Sequence, residues 1–382
     1  WPLQLAPLAG PPAVAELDDG RGGGAGADGI TVGRAVPGGS YHWFFPRGTR
    51  APVVGRVNDD LRLRLSATSD AWVAAAEAIG LPPGAAVRGR VGSISPAVTP
   101  SGVRFRIPVG VPVPYRVVEE ERRLTLTFHG AVGDVNWIRH GATDDVVAGI
   151  RWEQRTADEM DLVLDLREPL WGYRTGWDRG DLLLEVRRPP RLDRSHPLRG
   201  LLVAIDPGHP PGGATGPTGL REAEANLGIA RELGRLLEAE GARVHYTRTG
   251  DAPLGLAERI ASAEGVDAAV LVSIHNNALP DGVDPFRNNG TSVFYHQPRS
   301  RALAREVQRA LVRRLGLRDL GYARGDLALV RPTWLPSILT EGMFLMLPDQ
   351  EHALRTTDGR RRYARGVAEG LVAFLRERAG HS

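Results

Sequence analysis

Three short apolar runs in this sequence are each followed by a side chain that can bind a metal ion or carry a proton. The runs are LLVAI, AAVLVSI and PSILT, and the side chains that follow them are those of His209, His275 and Glu341. A fourth group, Glu222, lies where a helix is predicted to begin. Two histidines and a carboxylate, with one position left for water, form a usual catalytic zinc site, and a further carboxylate takes the proton of the water. These residue types therefore predict a metal-dependent hydrolase.

The first of these residues, His209, comes just after a predicted buried strand. Pro207 and Gly208 end the strand pattern, and in open α/β sheets ligands bind beyond the carboxyl ends of the strands. Strand and helix patterns alternate from here on, and the first helix pattern ends at Gly241. The alternation predicts α/β architecture over residues 200–382, with a mainly parallel twisted sheet and helices on both faces. In such a sheet the four side chains converge on one cleft.

Each of the four residues has a simpler explanation when it is considered alone. His275 at the end of an apolar strand is more often a hydrogen-bonded structural histidine. Glu341 would also serve as a cap or as the partner of an arginine. Glu222 has a rival in Glu224, because helix N-termini favour acidic residues. Four such residues at equivalent positions are harder to explain by packing, since burying them without partners is costly.

The composition is that of an ordinary folded protein. Of 382 residues, 42% are hydrophobic and 24% are charged, and 48 basic residues against 45 acidic ones give a net charge of +3. Every basic residue is an arginine, but no arginine run interleaves with aromatics, so nucleic acid is not an expected partner. The absence of cysteine excludes disulfides and thiolate metal sites. No stretch has the roughly 18 apolar residues of a transmembrane segment, and the start at Trp1 suggests that a signal peptide has been removed.

The part of the chain that precedes the α/β pattern is predicted to be all-β. Residues 1–30, which are rich in proline, glycine and alanine, are expected to form a flexible leader. Alternating apolar and polar residues predict a small β domain over residues 31–87 and a β-sandwich over residues 88–190. The segment RRPPRLDRSHPLRG (187–200), which is rich in proline and charge, marks the domain boundary, and residues 191–199 are the predicted linker to the catalytic domain at 200–382.

Polar and aromatic residues of the predicted sandwich form no recognisable site. Four polar residues are expected to be solvated in loops, because their spacing fits no metal motif: His129, His140, Asp144 and Asp145. Four tryptophans are expected to pack in the core or on strand faces, with a sugar-stacking surface as the alternative: Trp137, Trp152, Trp171 and Trp177.

Six motifs over about residues 201–378 resemble, in the same order, those of the zinc-dependent N-acetylmuramoyl-L-alanine amidases of the type 3 family. The matching segments read VAIDPGH, EAEANL, YTRTGD, LAERIASAE, LVSIHNNA and PSILTEGMFLMLPDQ. Further upstream, SDAWV followed by LPPG resembles the end of a bacterial SH3-like barrel, and the predicted sandwich is similar to the AMIN domains that precede some cell-wall amidases.

The resemblance implies a role for each of the four candidate residues. It implies that one Zn²⁺ is bound by the residues that correspond to the family's ligands, which are His209, Glu222 and His275. The Asn-Leu pair that follows Glu222 after three residues fixes the register in favour of Glu222 over Glu224. The family's catalytic glutamate corresponds to Glu341.

Four further residues are expected to contact the substrate or to shape the cleft: Asn276, Asn277, Arg259 and His296. The alternatives are that the asparagines hold His275 or form a turn, and that Arg259 orders the adjacent loop and helix or pairs at the surface. His296 is expected to provide a polar wall of the cleft. Asp206 is expected to support the site from behind or to form the turn.

Three features distinguish this sequence from the family pattern. Pro210-Pro211 replace the usual glycines after DPGH, which is expected to stiffen the loop and narrow the cleft. Met343 stands between Gly342 and Phe344, where the family has Glu-Gly-Phe. The segment ALPDGVDPFRNN is too short for the inhibitory helix that some relatives carry, so activity is expected to be constitutive or controlled by the β domains.

Together these observations predict a peptidoglycan hydrolase. The implied reaction is zinc-dependent hydrolysis of the amide between N-acetylmuramic acid and the L-alanine of the stem peptide, for wall remodelling or cell separation. The alternatives are a non-catalytic peptidoglycan-binding or regulatory protein and a zinc carboxypeptidase acting on stem peptides. Peptidoglycan is the expected partner, with envelope proteins as candidate partners of the β domains. The expected location is extracytoplasmic, in the periplasm or the cell wall.

Overall fold

The computed structural model describes residues 13–22, 29–82, 84–138, 145–280 and 282–380. The chain divides into two compact units, Trp1–Arg188 and Pro189–Ser382. The first unit consists of strands and two short 3-10 helices, whereas strands and helices alternate in the second. Among the helices of these described residues, none is long and apolar enough to cross a membrane.

A seven-stranded antiparallel sheet forms the first part of the N-terminal unit. Its strands are β1 (Val14–Leu17), β2 (Ile30–Arg34), β3 (Tyr41–Pro46), β4 (Arg50–Val57), β5 (Asp60–Arg64), β6 (Asp70–Ala74) and β7 (Ala78–Leu81). They lie in the order β3-β2-β6-β5-β4-β1-β7. Because alternate residues of a strand point to opposite faces, the sheet buries an apolar cluster that includes Leu17, Phe45 and Leu63.

The expectation of a flexible leader over residues 1–30 is wrong for the segment that forms β1. Val14, Ala15 and Leu17 are buried, and β1 pairs with both β4 and β7. The local composition is typical of a linker, but the partners of β1 lie far along the chain, where local composition gives no signal. Residues 1–12 and 23–28 lie outside the described residues.

The second part of the N-terminal unit is a β-sandwich. Its strands are β8 (Gly89–Val91), β9 (Ser95–Val98), β10 (Gly102–Pro108), β11 (Tyr115–Glu120), β12 (Arg123–His129), β13 (Ala131–Gly133), β14 (Val147–Thr156), β15 (Glu159–Leu166), β16 (Tyr173–Asp178) and β17 (Asp181–Arg187). One sheet has the order β16-β17-β10-β9 and the other β11-β12-β15-β14, while β8 and β13 form a parallel pair. Side chains of both sheets, such as Phe105, Leu126 and Leu184, share one apolar core.

The prediction that His129 is a solvated loop residue is wrong. His129 is the last residue of β12, only 5% exposed, and is paired across the sheet with Glu159. Its Nδ1 lies 3.0 Å from the Glu159 carboxylate, which also accepts a hydrogen bond from Ser66, in the segment between β5 and β6. Asp145 is exposed and forms an ion pair with Arg188, whereas residues 140 and 144 lie outside the described residues.

The four tryptophans of the sandwich divide between core and surface. Trp171 is 2% exposed and Trp177 packs against the sandwich core. Trp137 and Trp152 are exposed. The expectation of core or strand-face packing therefore holds for the first pair. It also holds for Trp152, which lies on β14 with its ring next to Gly133 of β13, whereas Trp137 lies on the surface outside any strand.

The C-terminal unit is a six-stranded sheet with five α-helices. Its elements are β18 (Leu202–Pro207), α1 (Glu222–Ala239), β19 (Arg243–Tyr246), α2 (Leu256–Gly265), β20 (Val270–Asn277), β21 (Thr291–Tyr295), α3 (Arg301–Leu315), β22 (Asp319–Arg324), β23 (Ser337–Phe344), α4 (Pro348–Arg355) and α5 (Thr357–Ala379). The strand order is β19-β18-β20-β23-β21-β22. Every neighbouring pair is parallel except β21 and β23, so the sheet is mainly parallel, as the sequence predicts.

Helices cover both faces of this sheet. Ala204 and Leu271 are paired on neighbouring strands, and both pack against Ala263 of α2 on one face. The alternate residues Val203 and Val270 are fully buried on the opposite face, where α1 contacts β18 and β20 and packs against α5. The sheet is thereby enclosed on both sides, and its polar side chains emerge at the strand ends.

Candidate active site

The C-terminal ends of β18, β20 and β23 meet at one edge of the sheet. Pro207 at the end of β18 is paired with Ile274 of β20, and His275 on the same strand is paired with Glu341 of β23. Paired residues of neighbouring strands point to the same face. The side chains of His275 and Glu341 therefore project from adjacent positions on the same face of the sheet. His209 lies two residues after the end of β18.

His209, Glu222 and His275 form a group that can hold a metal ion. The Nε2 atom of His209 lies 3.2 Å from one carboxylate oxygen of Glu222, and the Nδ1 atom of His275 lies 3.2 Å from the other. One nitrogen or oxygen of each residue lies within 4.8 Å of those of the other two. Glu224, the rival of Glu222, is exposed and points to Arg360 instead. Within the described residues, no other group of three or more potential ligands meets this distance.

The imidazole of His209 is oriented by its own loop. Its Nδ1 atom donates a hydrogen bond to the carbonyl of Pro211 at 3.0 Å, which leaves Nε2 to face Glu222. The hydrogen bond to Glu222 raises the pKa of His209, and burial opposes it. A side chain at Gly208 would place its Cβ only 2.2 Å from the imidazole of His275. Glycine is therefore required where the backbone before His209 passes close to His275.

Glu222 is the most strongly bound carboxylate of the site. Besides the two histidines, it accepts hydrogen bonds from the backbone N–H groups of Ala214 and Asn276 and from the side chain of Asn226. Burial by itself raises the pKa of Glu222, but the hydrogen bonds with His209 and His275 outweigh it and hold that pKa well below the usual range. Glu222 is therefore an anion at neutral pH.

Glu341 has the opposite environment. Its Oε2 atom is buried and has no hydrogen-bond partner among the described residues. Burial, together with the negative charge of Glu222, raises the pKa of Glu341 to about 8. Within the described residues, Glu222 is paired with His209 and His275, and no arginine forms an ion pair with Glu222 or Glu341.

Arg259, which the sequence suggested as a substrate contact, is buried within the protein. It is 2% exposed and its guanidinium donates to the carboxylate of Asp206 and to the carbonyls of Pro207 and Pro210. Asp206 also accepts hydrogen bonds from Thr247 and Ser273. This buried network fixes the backbone that leads to His209, which agrees with the alternative roles considered for Arg259 and Asp206.

Arg248 is a supporting residue to which the sequence assigned no role, although its motif YTRTGD was recognised. The buried guanidinium donates to the carbonyls of Pro207 and Gly208, next to His209, and to that of Ala223, next to Glu222. Burial lowers the pKa of Arg248 to about 10.

The two asparagines after His275 differ in exposure. Asn276 is 2% exposed; its backbone N–H donates to Glu222 and its side chain to Asn226, so it supports the site from within the protein. Asn277 is half-buried and its carbonyl accepts a hydrogen bond from Leu345. Of the two residues, Asn277 is the more exposed.

The prediction that His296 lines the cleft is wrong, because β21 runs antiparallel to β23. Phe294 is paired with Leu339, so the chain leaves β21 at the end of the sheet opposite to Glu341. At about 3.3 Å per residue, this separates His296 from the level of Glu341 by roughly 13 Å along the strands. Its Nδ1 donates to the carbonyl of Gly325, away from the site.

Tyr363 of α5 is a second supporting residue that the sequence did not reveal. Its hydroxyl accepts a hydrogen bond from the N–H of Gly342 at 2.8 Å and lies 2.8 Å from the carbonyl oxygen of His275. The ring lies so close to Gly342 that a Cβ there would be 2.3 Å from it. Tyr363 therefore ties together the strand positions of His275 and Glu341.

Comparison with known proteins places the C-terminal unit among amidases. Residues 203–373 match the model of the family described as N-acetylmuramoyl-L-alanine amidase. The chain is 32% identical over 187 residues to N-acetylmuramoyl-L-alanine amidase LytC of Bacillus subtilis, which covers 47% of this chain and 37% of LytC. It is 29% identical over 208 residues to the probable cell wall amidase LytH of Staphylococcus epidermidis, with 53% and 67% covered.

One solved structure shares a similar level of identity. The crystal structure of N-acetylmuramoyl-L-alanine amidase from Clostridium difficile 630 is 30% identical, and the match covers 46% of this chain and 97% of that one with a TM-score of 0.44. The chain spans little more than a third of the length of LytC.

Proposed function

Residues 203–373 make this chain a member of the type 3 family of N-acetylmuramoyl-L-alanine amidases, and from that premise we propose that it hydrolyses the amide between N-acetylmuramic acid and L-alanine in peptidoglycan. One observation carries the proposal. The potential ligand atoms of His209, Glu222 and His275 lie within 4.8 Å of one another. Glu341 occupies the strand position that is paired with His275. A cluster of ligands with an adjacent unpaired carboxyl group suits hydrolysis of an amide.

The proposed cofactor is one Zn²⁺ held by His209, Glu222 and His275. Two imidazole nitrogens and one carboxylate are a zinc donor set, whereas magnesium and calcium prefer oxygen ligands alone. The buried Oε2 atom of Glu341, which has no hydrogen-bond partner among the described residues, also favours a bound cation. When bound, zinc supplies Lewis-acid chemistry, in that it polarises the amide carbonyl and makes water more acidic.

Glu341 is proposed to move the proton. It accepts a proton from the attacking water as the new carbon–oxygen bond forms, and then delivers it to the nitrogen of L-alanine as the carbon–nitrogen bond breaks. A group whose pKa lies near the working pH both accepts and returns a proton readily, and burial brings the pKa of Glu341 to about 8 in the metal-free protein.

The remaining polar residues are proposed to hold this constellation. Arg259 and Arg248 fix the carbonyls on either side of His209, and Tyr363 fixes the strand ends that carry His275 and Glu341. None of these groups needs to touch the substrate. Their contribution is to keep the reacting side chains in place, which lowers the entropic cost of the reaction.

The N-terminal unit is proposed to localise the enzyme rather than to contribute to catalysis. Its seven-stranded sheet and its sandwich are assigned to the SH3-like and AMIN-like classes on the sequence resemblance, with peptidoglycan or envelope proteins as partners. Action on peptidoglycan requires a location outside the cytoplasm, in the periplasm or the cell wall.

Digestion of purified peptidoglycan tests the proposal. The wild-type chain is incubated with and without a chelator, and the products are identified by mass spectrometry, with Glu341→Gln as the matched inactive control. Release of intact stem peptides, together with glycan that carries no peptide, is the expected result. Shortened stems that remain attached to muramic acid would instead identify a carboxypeptidase, and binding without any product would identify a non-catalytic wall-binding protein.

A further inference from the structure

The loop that connects His209 to Glu222 rests on a buried carboxylate of another element. Glu351 on α4 is 1% exposed, and it accepts hydrogen bonds from the backbone N–H groups of Thr218 and Leu220 at 3.0 to 3.1 Å. The loop passes directly over this carboxylate, since a Cβ at Gly216 would lie 2.4 Å from one of its oxygens. Burial raises the pKa of Glu351, but the backbone donors outweigh it and lower that pKa, so the side chain accepts as an anion.

The same loop is closed at its base by Glu222. The N–H of Glu222 donates to the carbonyl of Ala214, and the N–H of Ala214 donates back to the Glu222 carboxylate at 3.1 Å. Between base and tip, Gly216 donates to the carbonyl of Leu220. The tip held by Glu351 and the carboxylate of Glu222 therefore belong to one small hydrogen-bonded unit, and a shift of one is transmitted to the other.

A second side chain of α4 holds the loop from outside. Arg355, one turn after Glu351, donates to the carbonyl and to the hydroxyl of Thr218. Its guanidinium also lies 3.5 Å from the carboxylate of Glu351. The loop tip is thus held from two directions by one helix.

The helix that carries these groups is itself tied to the strand of Glu341. The side chain of Gln350 accepts a hydrogen bond from the backbone N–H of Phe344, three residues after Glu341. The first turn of α4 therefore connects the loop of Glu222, through Glu351, with the end of β23.

We propose that Glu351, assisted by Arg355, is a positioning residue that holds the loop 214–221 so that the carboxylate of Glu222 faces His209 and His275. The role rests on the proposed function in that these three residues bind zinc. Glu351 does not contact the metal or the substrate; it acts through the loop.

Glu351→Gln tests this role with little change of shape. Thr218 N–H contacts both oxygens of Glu351, so either orientation of the amide places an NH₂ group against a backbone donor. The expected result is about a tenfold loss of zinc affinity, measured by competition with a chromogenic chelator, because residues that orient ligands typically contribute that much. Excess zinc is expected to restore digestion of peptidoglycan by this variant.

Glu232→Gln is the matched control. Glu232 is a buried glutamate of the same unit, paired with Arg361 and Arg235, without contact to the loop. It is expected to keep the zinc affinity of the wild type. If Glu351→Gln also keeps that affinity and only lowers the thermal midpoint of the zinc-free protein, Glu351 is merely structural and the proposal is overturned.

Arg355→Ala covers the case in which Glu351→Gln does not fold. Arg355 is partly exposed, and its loss leaves the buried carboxylate in place. A smaller loss of zinc affinity supports the proposal, and wild-type affinity overturns it. A wild-type protein that binds zinc but releases no stem peptides refutes the proposed function, while these affinities still decide the role of Glu351. A wild-type protein without zinc affinity refutes both.

Discussion

Two buried carboxyl groups, one in each unit, have pKa values that are shifted in opposite directions. Glu185 of the sandwich is 3% exposed and lies between Arg104 and Arg174, at 2.9 and 3.0 Å. Burial by itself raises the pKa of Glu185, but hydrogen bonds from Ser101 and the arginines lower it to about 2. Burial of Glu341 is not offset in this way, and its pKa is raised to about 8.

The difference lies in whether the chain itself supplies the cation. The sandwich carboxylate is neutralised by arginines of neighbouring strands, so its charge is satisfied within the fold. The buried arginines that support the site, Arg248 and Arg259, donate to backbone carbonyls and to the Asp206 carboxylate instead of to Glu341. An unpaired buried carboxyl group is costly to keep. Such a cost is typical of a site that is completed by a bound ion, and this pair of glutamates can be used to test that interpretation.

The largest expected effect is on catalysis by Glu341→Gln. The amide keeps the shape of the side chain but cannot accept a proton. Loss of a general acid–base group typically costs about 10²–10⁴-fold in rate, so we expect kcat on peptidoglycan fragments to fall by that factor. Zinc content, measured on the purified protein by elemental analysis, is expected to remain one ion per chain.

Glu185→Gln is the control for that experiment. It makes the same chemical change in the N-terminal unit, and we expect it to leave kcat unchanged. Activity of Glu341→Gln above a tenth of the wild-type value would show that another group moves the proton.

The second effect is the stabilisation of one unit by metal. Zinc at about 100 times its dissociation constant should stabilise the unit that binds it by about 2.7 kcal/mol. In calorimetry, the transition of the C-terminal unit is therefore expected to shift upward with zinc, and the shift is expected to vanish in His209→Ala. A shift of the N-terminal transition would contradict the assignment of the metal to His209, Glu222 and His275.

The third effect separates the two glutamates by the pH dependence of stability. The pKa of Glu341 is raised from 4.5 in the unfolded chain to about 8 in the fold. The zinc-free unit therefore loses stability as the pH rises from 4.5 to 8, with no further loss from this group above 8. At pH 8.5 we expect zinc-free Glu341→Gln to be more stable than the wild type by on the order of 5 kcal/mol.

Urea unfolding of the zinc-free proteins at pH 5 and pH 8.5 measures this difference. Other groups titrate alike in both proteins, so the change in the difference between the two pH values reports on Glu341. Equal stability of the two proteins at both pH values would show that Glu341 is solvated as an ordinary carboxylate.

Much of the C-terminal unit is predictable from the sequence, because its signals are local. Apolar runs with histidine or glutamate at their ends predicted the parallel strands and the convergence of His209, His275 and Glu341. The placement of Glu222 followed from its motif. His296 was misplaced because the direction of β21 is set by its pairing with β23, which the local pattern does not encode.

The residues that the sequence missed are those whose partners are distant along the chain. Arg248 and Tyr363 act on carbonyl and amide groups of segments far from their own positions. In the N-terminal unit, β1 and His129 likewise depend on strands that follow much later. A backbone group gives no side-chain signal in the sequence, so contacts of this kind appear only with the fold.

The smallest expected effect is on acid unfolding of the N-terminal unit. The pKa of Glu185 is lowered from 4.5 to about 2, so its contribution is complete above 4.5 and is lost as the pH falls from 4.5 to 2. Because Arg104 and Arg174 are half exposed and therefore screened, we expect Glu185→Gln to cost on the order of 1 kcal/mol at pH 7 and much less at pH 2. Tryptophan fluorescence during urea unfolding follows this unit, which contains Trp43, Trp72 and Trp171. The acid dependence has the opposite sign to that of Glu341, because one carboxylate has a cation within the fold and the other does not.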